Sequence, residues 1–450
     1  MTTTPRTRPS RGDQLELTVD SLAHGGNGVA RLDGYVVFVA GAVPGDRVRA
    51  EVGKAKRAYA EARAVEVLEP SPDRIPPAAD HPGAPWQVLP YERQLEVKAS
   101  QVREALERIG KLSDVTIEPI VPAVEPWRYR NKLEYSFGHG PGGELVCGFH
   151  APGRWDQIVP MDDCLLASKR SNAVREQVLA WARAQGLSAW DRREQRGLLR
   201  NLVVREGRRT GELQVRLVTS EGAIDTDSLI DAVPCDGLFW TRQDQLGESS
   251  AGGETVLLSG VPQLRERIGG LEFLVSPEAF FQTNTEMAEQ LYGIAAEMAQ
   301  LRGHERVFDL FSGIGTIGLT LAARAREVVG VEIVEAAVAD AIENARRNDV
   351  LNARFFAGDI RLAMRDLVEE AGRPDVLVVD PPRAGLSQKV VRRILEAQPS
   401  RVVYVSCNPT TLAPNAAQMV EAGYRLTRVR PVDMFPQTPH IECVALLERS

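Results

Sequence analysis

The chain has 450 residues, 43% hydrophobic and 26% charged, with five cysteines and a formal net charge of −7. That length predicts two to four domains at roughly 100–200 residues each, and no apolar run approaches the ~18 residues of a membrane span. The start, MTTTPRTRPSRGD, lacks the apolar core of a secretory signal, and five scattered cysteines make no disulfide framework, so a reducing cytoplasm is the expected compartment.

Residues 1–10 are polar and predict a disordered tail. Residues 11–69 predict a small all-β unit. QLELTVDSL alternates apolar and polar positions, and the following stretch alternates strands with glycine turns. Five short strands fit an OB-like barrel, a common oligonucleotide platform, or any other small barrel. A proline-rich break at 70–85 precedes YERQLEVKASQVREALERIGKL. There Leu95, Val102, Leu106 and Ile109 share one helical face, and Gly110 supplies a stop. Residues 120–270 mix strands such as ELQVRLVT with polar loops, an α+β middle domain without a chemical motif of its own.

The acidic total argues mildly against nucleic acid as partner, but phosphate binding depends on local patches. Three basic clusters stand out: Arg47, Arg49, Lys54, Lys56, Arg57 and Arg63; WRYRNK at 127–132; and the run from Arg192 to Arg209. Each alone reads as a solvated face. The interleaved aromatics of WRYRNK add some weight to nucleic acid, because bases stack on such rings.

From about 285 the rhythm changes. A helix precedes RVFDLF, and four further strands (EVVGVE, ARFFAGD, DVLVVD, RVVYVS) alternate with helices. This predicts a parallel, doubly wound sheet. YRLTRVRPVD and ECVALLER follow with only a short irregular link, which predicts an antiparallel edge.

DLFSGIGTIG carries Gly313, Gly315 and Gly318 in a G-x-G-x-x-G pattern, and Glu332 ends the next strand, where an acid can accept both hydroxyls of a ribose. The pattern alone fits a nicotinamide dinucleotide or S-adenosylmethionine. Asp359 at the third strand end, DPPR (Asp380 to Arg383) at the fourth and the antiparallel edge favour S-adenosylmethionine. Ligands bind at these strand ends in open α/β sheets.

VVYVSCNPTTLA ends the fifth strand at Cys407. A strand-end cysteine by itself is more often a small buried hydrophobe. Here Asn408-Pro409 turns the chain outward and leaves the thiol at the sheet mouth. Glu442 starts the last strand. A thiol and a carboxylate near a methyl donor suit one chemistry, methylation of uracil carbon 5. Thiolate addition at carbon 6 makes carbon 5 nucleophilic, and a base must then remove its proton. The target base must also leave its stack.

With SPEAFFQTN, DLFSGIGTIGL, GVE, DPPRAGL, VVYVSCNPTTLA and MFPQTPHIECVALLER together, the sequence resembles the RNA 5-methyluridine methyltransferases over most of its length. Residues 11–69 resemble the TRAM module that precedes the catalytic part in many members. The resemblance implies a TRAM barrel at 11–69, a linker helix and middle RNA-binding domain at 70–270, and a Rossmann-like methyltransferase domain at 271–450 with a mostly parallel seven-stranded sheet. It implies Cys407 as nucleophile and Glu442 as the proton-abstracting base. Gln282, Phe311, Glu332 and Asp380 match S-adenosylmethionine contacts, and Thr316 and Asp359 occupy two further cofactor-lining positions. Asp380 also lies near the uracil in the family. Cys443 reads as core, and His440 as structural. The implied substrate is RNA, 23S ribosomal over transfer RNA because of the TRAM module, acted on by a monomer.

One departure is clear. Many members bind a four-iron cluster through three cysteines before WQxxxYxxQL and a fourth in the middle domain. Here PPAADHPGAPWQVLPYERQL has no cysteine, and only Cys164 matches the fourth position. One thiolate cannot hold a cluster that takes four, so no iron–sulfur centre is expected. The rivals are an amino-group methyltransferase, whose motif wants an aromatic where Arg383 stands, a nicotinamide-dependent oxidoreductase and a non-catalytic RNA-binding protein.

Overall fold

The computed structural model describes residues 8–245, 247 and 250–450. Most of the expected tail, residues 1–7, lies outside the described residues. Pro9 is already buried, and the Gly12 N–H donates to the Val52 carbonyl at 2.8 Å.

Among the described residues, strands Gln14–Leu22, Gly28–Leu32, Tyr35–Ala40, Arg47–Ala55 and Tyr59–Glu69 close into a barrel. Alternate positions such as Leu17, Val19, Val37, Val39, Val48 and Val52 fill its interior, as the period of two requires. Half of the first basic cluster is neutralised in place. Arg47 pairs with Glu16 and Glu69, Arg49 with Glu66, and Lys54 with Glu61.

The linker helix Tyr91–Glu104 continues into a π turn, Ala105–Ile109. Val102 and Leu106 are buried as the periodicity predicts, but Ile109 is 49% exposed. The wider turn adds a residue per revolution and rotates Ile109 off the buried stripe.

The middle domain is a seven-stranded sheet among the described residues, with Leu199–Glu206 at its centre and Lys132–His139 between it and Leu145–Ala151. Helices Lys169–Ala184 and Thr226–Ala232 belong to the core on one face. The other face is polar and meets the catalytic domain. The hairpin Leu264–Ile268 and Leu271–Val275 runs through residue 270 and packs Phe273 and Val275 into the catalytic core.

In the catalytic sheet the strand order is Ala353–Ala357, Glu327–Glu332, Arg306–Leu310, Val376–Val379, Arg401–Ser406, Glu442–Arg449, Tyr424–Val432. The first five run parallel, and the last two are antiparallel as expected. Two apolar layers cover its faces. Among the described residues the sheet has an eighth strand beyond the seven expected. Thr116–Ile117, just after the linker helix, pairs parallel to Arg428–Val429. No helix among the described residues is long and apolar enough to cross a membrane.

A buried polar knot fastens the linker helix to the loop before Glu442. Lys98 Nζ donates to Asp433 Oδ1 at 2.6 Å, both side chains being fully buried. Tyr91 donates to Asp433 Oδ2 at 2.9 Å, and Gln94 Nε2 to Gln437 Oε1 at 2.8 Å.

Candidate active site

The candidate residues stand at the carboxyl ends of adjacent strands. Leu310 pairs with Val331 and Val379, so Phe311, Glu332 and Asp380 follow at one level. Val379 pairs with Tyr404, which carries the line on to the Cys407 strand. Ser406 pairs with Cys443 in the antiparallel ladder, so the next residues, Cys407 and Glu442, face each other. From Glu332 to Cys407 is three strand spacings, about 14 Å. That reach suits an extended nucleoside carrying an amino-acid arm.

The glycine loop begins under strain. Phe311 has φ +64°, a left-handed conformation that costs a non-glycine residue on the order of 1 kcal/mol. Gly315 at φ +84° could not carry a side chain, since a Cβ there would lie 2.9 Å from the Phe355 ring. Thr316 starts the following helix. Glu332 is held ready by its own loop, accepting from the N–H groups of Gly313 (3.1 Å), Ile333 (2.8 Å) and Val334 (3.0 Å). Phe311, Thr316 and Asp380 line one cleft with Phe280, Phe281 and Tyr292. Gln282 is 5% exposed beside it, and its carbonyl accepts from Asn131 Nδ2 at 2.9 Å.

Asp359 is differently placed. It caps the helix Ile360–Ala371, and Arg361 grips both its oxygens. That ion pair holds its carboxyl down at about 2. A ligand edge would meet an ionised acceptor already shared with a guanidinium.

The cleft fits a polar ligand. Asp309 Oδ1 and Ser312 Oγ are buried there without a partner among the described residues. An unpaired buried polar atom costs about 1–3 kcal/mol, so a ligand that bonds to it gains accordingly. Asp309 and Asn131 were not singled out from sequence. Asp309 Oδ2 accepts from the Gly318 N–H at 2.8 Å, and burial raises its carboxyl to about 7. The sign of its role was present: an acid on the strand that launches the glycine loop.

At the mouth, Asn408 caps the helix Pro409–Glu421 and its Nδ2 donates to the Arg383 carbonyl at 3.1 Å, tying the Cys407 turn to DPPR. The half-buried Cys407 thiol is pushed up to about 11 by burial, then by the Glu442 and Asp380 carboxyls. Burial raises Asp380 to about 7. Glu442 is 3% exposed, and burial followed by Asp380 lifts its carboxyl well above the usual range. Its Oε2 has no partner among the described residues. Cys443 points into the opposite apolar layer. His440 sets its ring edge-on to Phe435, and burial and nearby Arg383 push it down to about 4, so it is neutral.

The region that the resemblance would match to a four-iron cluster is filled by other contacts. Cys164 Sγ lies 3.1 Å from His81 Nε2, and Phe149 packs against both His81 and Tyr135. Among the described residues no group of three or more His, Cys, Asp or Glu side chains could hold a metal. One thiol, an imidazole and aromatic rings do not fit the cluster.

Residues 267–450 match the family described as tRNA (Uracil-5-)-methyltransferase, and residues 9–65 match the TRAM domain. An uncharacterised RNA methyltransferase of Halalkalibacterium halodurans is 40% identical over 98% of both chains. One of Gloeobacter violaceus is 39% identical over 98% of this chain and 97% of its own. The crystal structure of Pyrococcus abyssi tRNA (uracil-54, C5)-methyltransferase with S-adenosyl-L-homocysteine is similar at 30% identity and a TM-score of 0.77, over 96% of this chain and all of that one. With its barrel, glycine loop and paired thiol and carboxylate, the chain belongs to the S-adenosylmethionine-dependent RNA uracil-5-methyltransferases.

Proposed function

We propose that the chain methylates carbon 5 of a specific uridine through a covalent adduct on Cys407, with Glu442 completing turnover. The observation that carries this reading is the ladder register that sets Cys407 opposite Glu442 beside the glycine-loop cleft. The Cys407 thiolate bonds to uracil carbon 6, and the carbon 5–carbon 6 π pair moves toward the carbon-4 oxygen. Carbon 5 then takes the methyl, and the sulfonium bond breaks to leave a neutral thioether. Glu442 accepts the carbon-5 proton. The C–H pair restores the double bond, and the bond to carbon 6 breaks with its electrons returning to sulfur. Gln282, Phe311, Thr316, Glu332 and Asp380 hold the methyl donor, with Asp359 at the adenine end. A carboxyl poised near neutrality, as Asp380 is, can also donate to a uracil carbonyl.

For the substrate, the barrel beside the catalytic domain supports ribosomal RNA only weakly. The Pyrococcus enzyme spans 96% of this chain, so a barrel accompanies a transfer RNA enzyme as well. That likeness favours a second reading, a uridine of transfer RNA. Ribosomal and transfer RNA from a deletion strain, incubated with the protein and methyl-labelled S-adenosylmethionine, separate the two. Label is expected in 5-methyluridine of one pool. Label in another nucleoside would refute the reaction.

A further inference from the structure

We propose that Lys132 binds a backbone phosphate of the RNA beside the target nucleotide. The proposal rests on the RNA reading above and names a contact within it.

Lys132 lies on the polar face of the middle sheet. The register places it directly across from Arg205, and Arg216 stands diagonal to Arg205, opposite Val203 and two strands from Lys132. Both arginines are 3% exposed. Arg205 donates to the carbonyls of Ser276 (3.2 Å) and Ala279 (2.7 Å). It has no carboxylate within 4 Å among the described residues. Arg216 pairs with Glu278 at 3.0 Å and donates to the Ser250 carbonyl at 3.1 Å. Lys132 itself is half-buried, and its ammonium makes neither a hydrogen bond nor an ion pair among the described residues. Glu134, two residues along the same face, is exposed and also unpaired among the described residues. Glu134, Glu278 and Asp340, whose charge acts on Arg205, match the three cations in number, but the half-dry Lys132 ammonium has none of them within 4 Å among the described residues. Such a charge is costly until an anion joins it. Burial first, then Arg205, lower the ammonium to about 8, with Glu134 and Glu278 opposing.

The position matches the substrate path. The preceding residue, Asn131, bonds through Nδ2 to the Gln282 carbonyl and through its N–H to the Thr283 carbonyl (2.8 Å). Arg130 lies over the Phe435 ring at 5.7 Å, on the loop leading to Glu442. Lys132 is therefore one or two residues from contacts to both catalytic loops. The loop that Arg205 and Arg216 hold also presents Phe280, 69% exposed. An open aromatic ring on the loop docked against this face, together with an unpaired cation on it, is the combination that single-stranded nucleic acid uses, base on ring and phosphate on charge. This accounts for the last cation of WRYRNK, which no structural partner explains.

The test uses the full-length protein and whichever RNA pool, ribosomal or transfer, accepts methyl groups from it. Lys132→Met is expected to weaken RNA binding about tenfold near 0.1 M salt and to flatten the slope of log affinity against log salt by about 0.7–0.9. Lys132→Arg should restore both, and S-adenosylmethionine affinity should stay unchanged in both variants. Unaltered RNA affinity and slope in Lys132→Met would overturn the proposal. So would weakened S-adenosylmethionine binding with RNA binding intact, which would assign the charge to the donor's carboxylate. If the RNA effects appear but the methylated product is not 5-methyluridine, the uracil reading fails and the phosphate site stands.

Discussion

Cys407 sits where its own thiolate is disfavoured. Burial and the two facing carboxyls keep the thiol protonated at neutral pH, opposed by its own backbone N–H and by Arg383. A thiolate of high basicity is also the stronger nucleophile once formed. Glu442, raised by burial, is likewise a strong base once ionised. In the proposed mechanism both groups act in the deprotonated form, and both pKa values lie above the ordinary ones. Activity should therefore climb with pH. Single-turnover methylation is expected to rise between pH 7 and 9, close to tenfold per unit where one ionisation limits; a flat profile would mean that neither group controls the rate. Cys407 and Glu442 were legible in sequence because each stands at a strand boundary that punctuation marks, Asn-Pro after one and Pro-His-Ile before the other. Asp309 and Asn131 were not, because a polar residue's burial is decided by distant segments folding over it. Asn131, for instance, is buried only because the 282–285 segment accepts its hydrogen bonds.

At the scale of elements, the linker helix does more than join two units. Its Lys98 reaches Asp433, nine residues before Glu442, and Gln94 and Tyr91 grip the same loop. Removing one partner of a buried pair leaves a bare charge, at a cost of about 3–5 kcal/mol. Lys98→Met should lower stability by that order and reduce kcat through the displaced Glu442 loop. Adding Asp433→Asn should recover part of the stability, measured by denaturant unfolding. Equal stability of Lys98→Met and wild type would show the knot to be idle. The helix was legible from its apolar spacing, but its π turn was not. That turn is set by packing against the Pro409–Glu421 helix, and it turned Ile109 outward. The eighth strand has two residues, too few for any period to register.

At the scale of the whole molecule, a barrel, a middle sheet and a catalytic sheet are built from one chain. The alternating βα rhythm made the catalytic sheet legible, and five short strands with glycine turns made the barrel so. The docking of the middle sheet on the catalytic loops was not legible, because Arg205 reads in sequence as part of a solvated basic run and Arg216 as one position of a strand, yet both are buried against residues 276–279. The His81–Cys164 contact, with Phe149 and Tyr135, joins the linker to the middle domain. Anaerobic purification is expected to give substoichiometric iron and no visible cluster absorbance, unchanged by Cys164→Ser. Stoichiometric iron lost in that variant would contradict this.

The central claim is that Cys407 bonds to the uracil and Glu442 releases it. Glu442→Gln, incubated with S-adenosylmethionine and substrate RNA, tests it most directly by denaturing gel and mass spectrometry of the nuclease-trimmed protein. A methylated nucleotide linked to Cys407 should accumulate, and Cys407→Ala should form neither adduct nor product. Full methylation by Cys407→Ala, or free turnover by Glu442→Gln without a trapped species, would contradict the account.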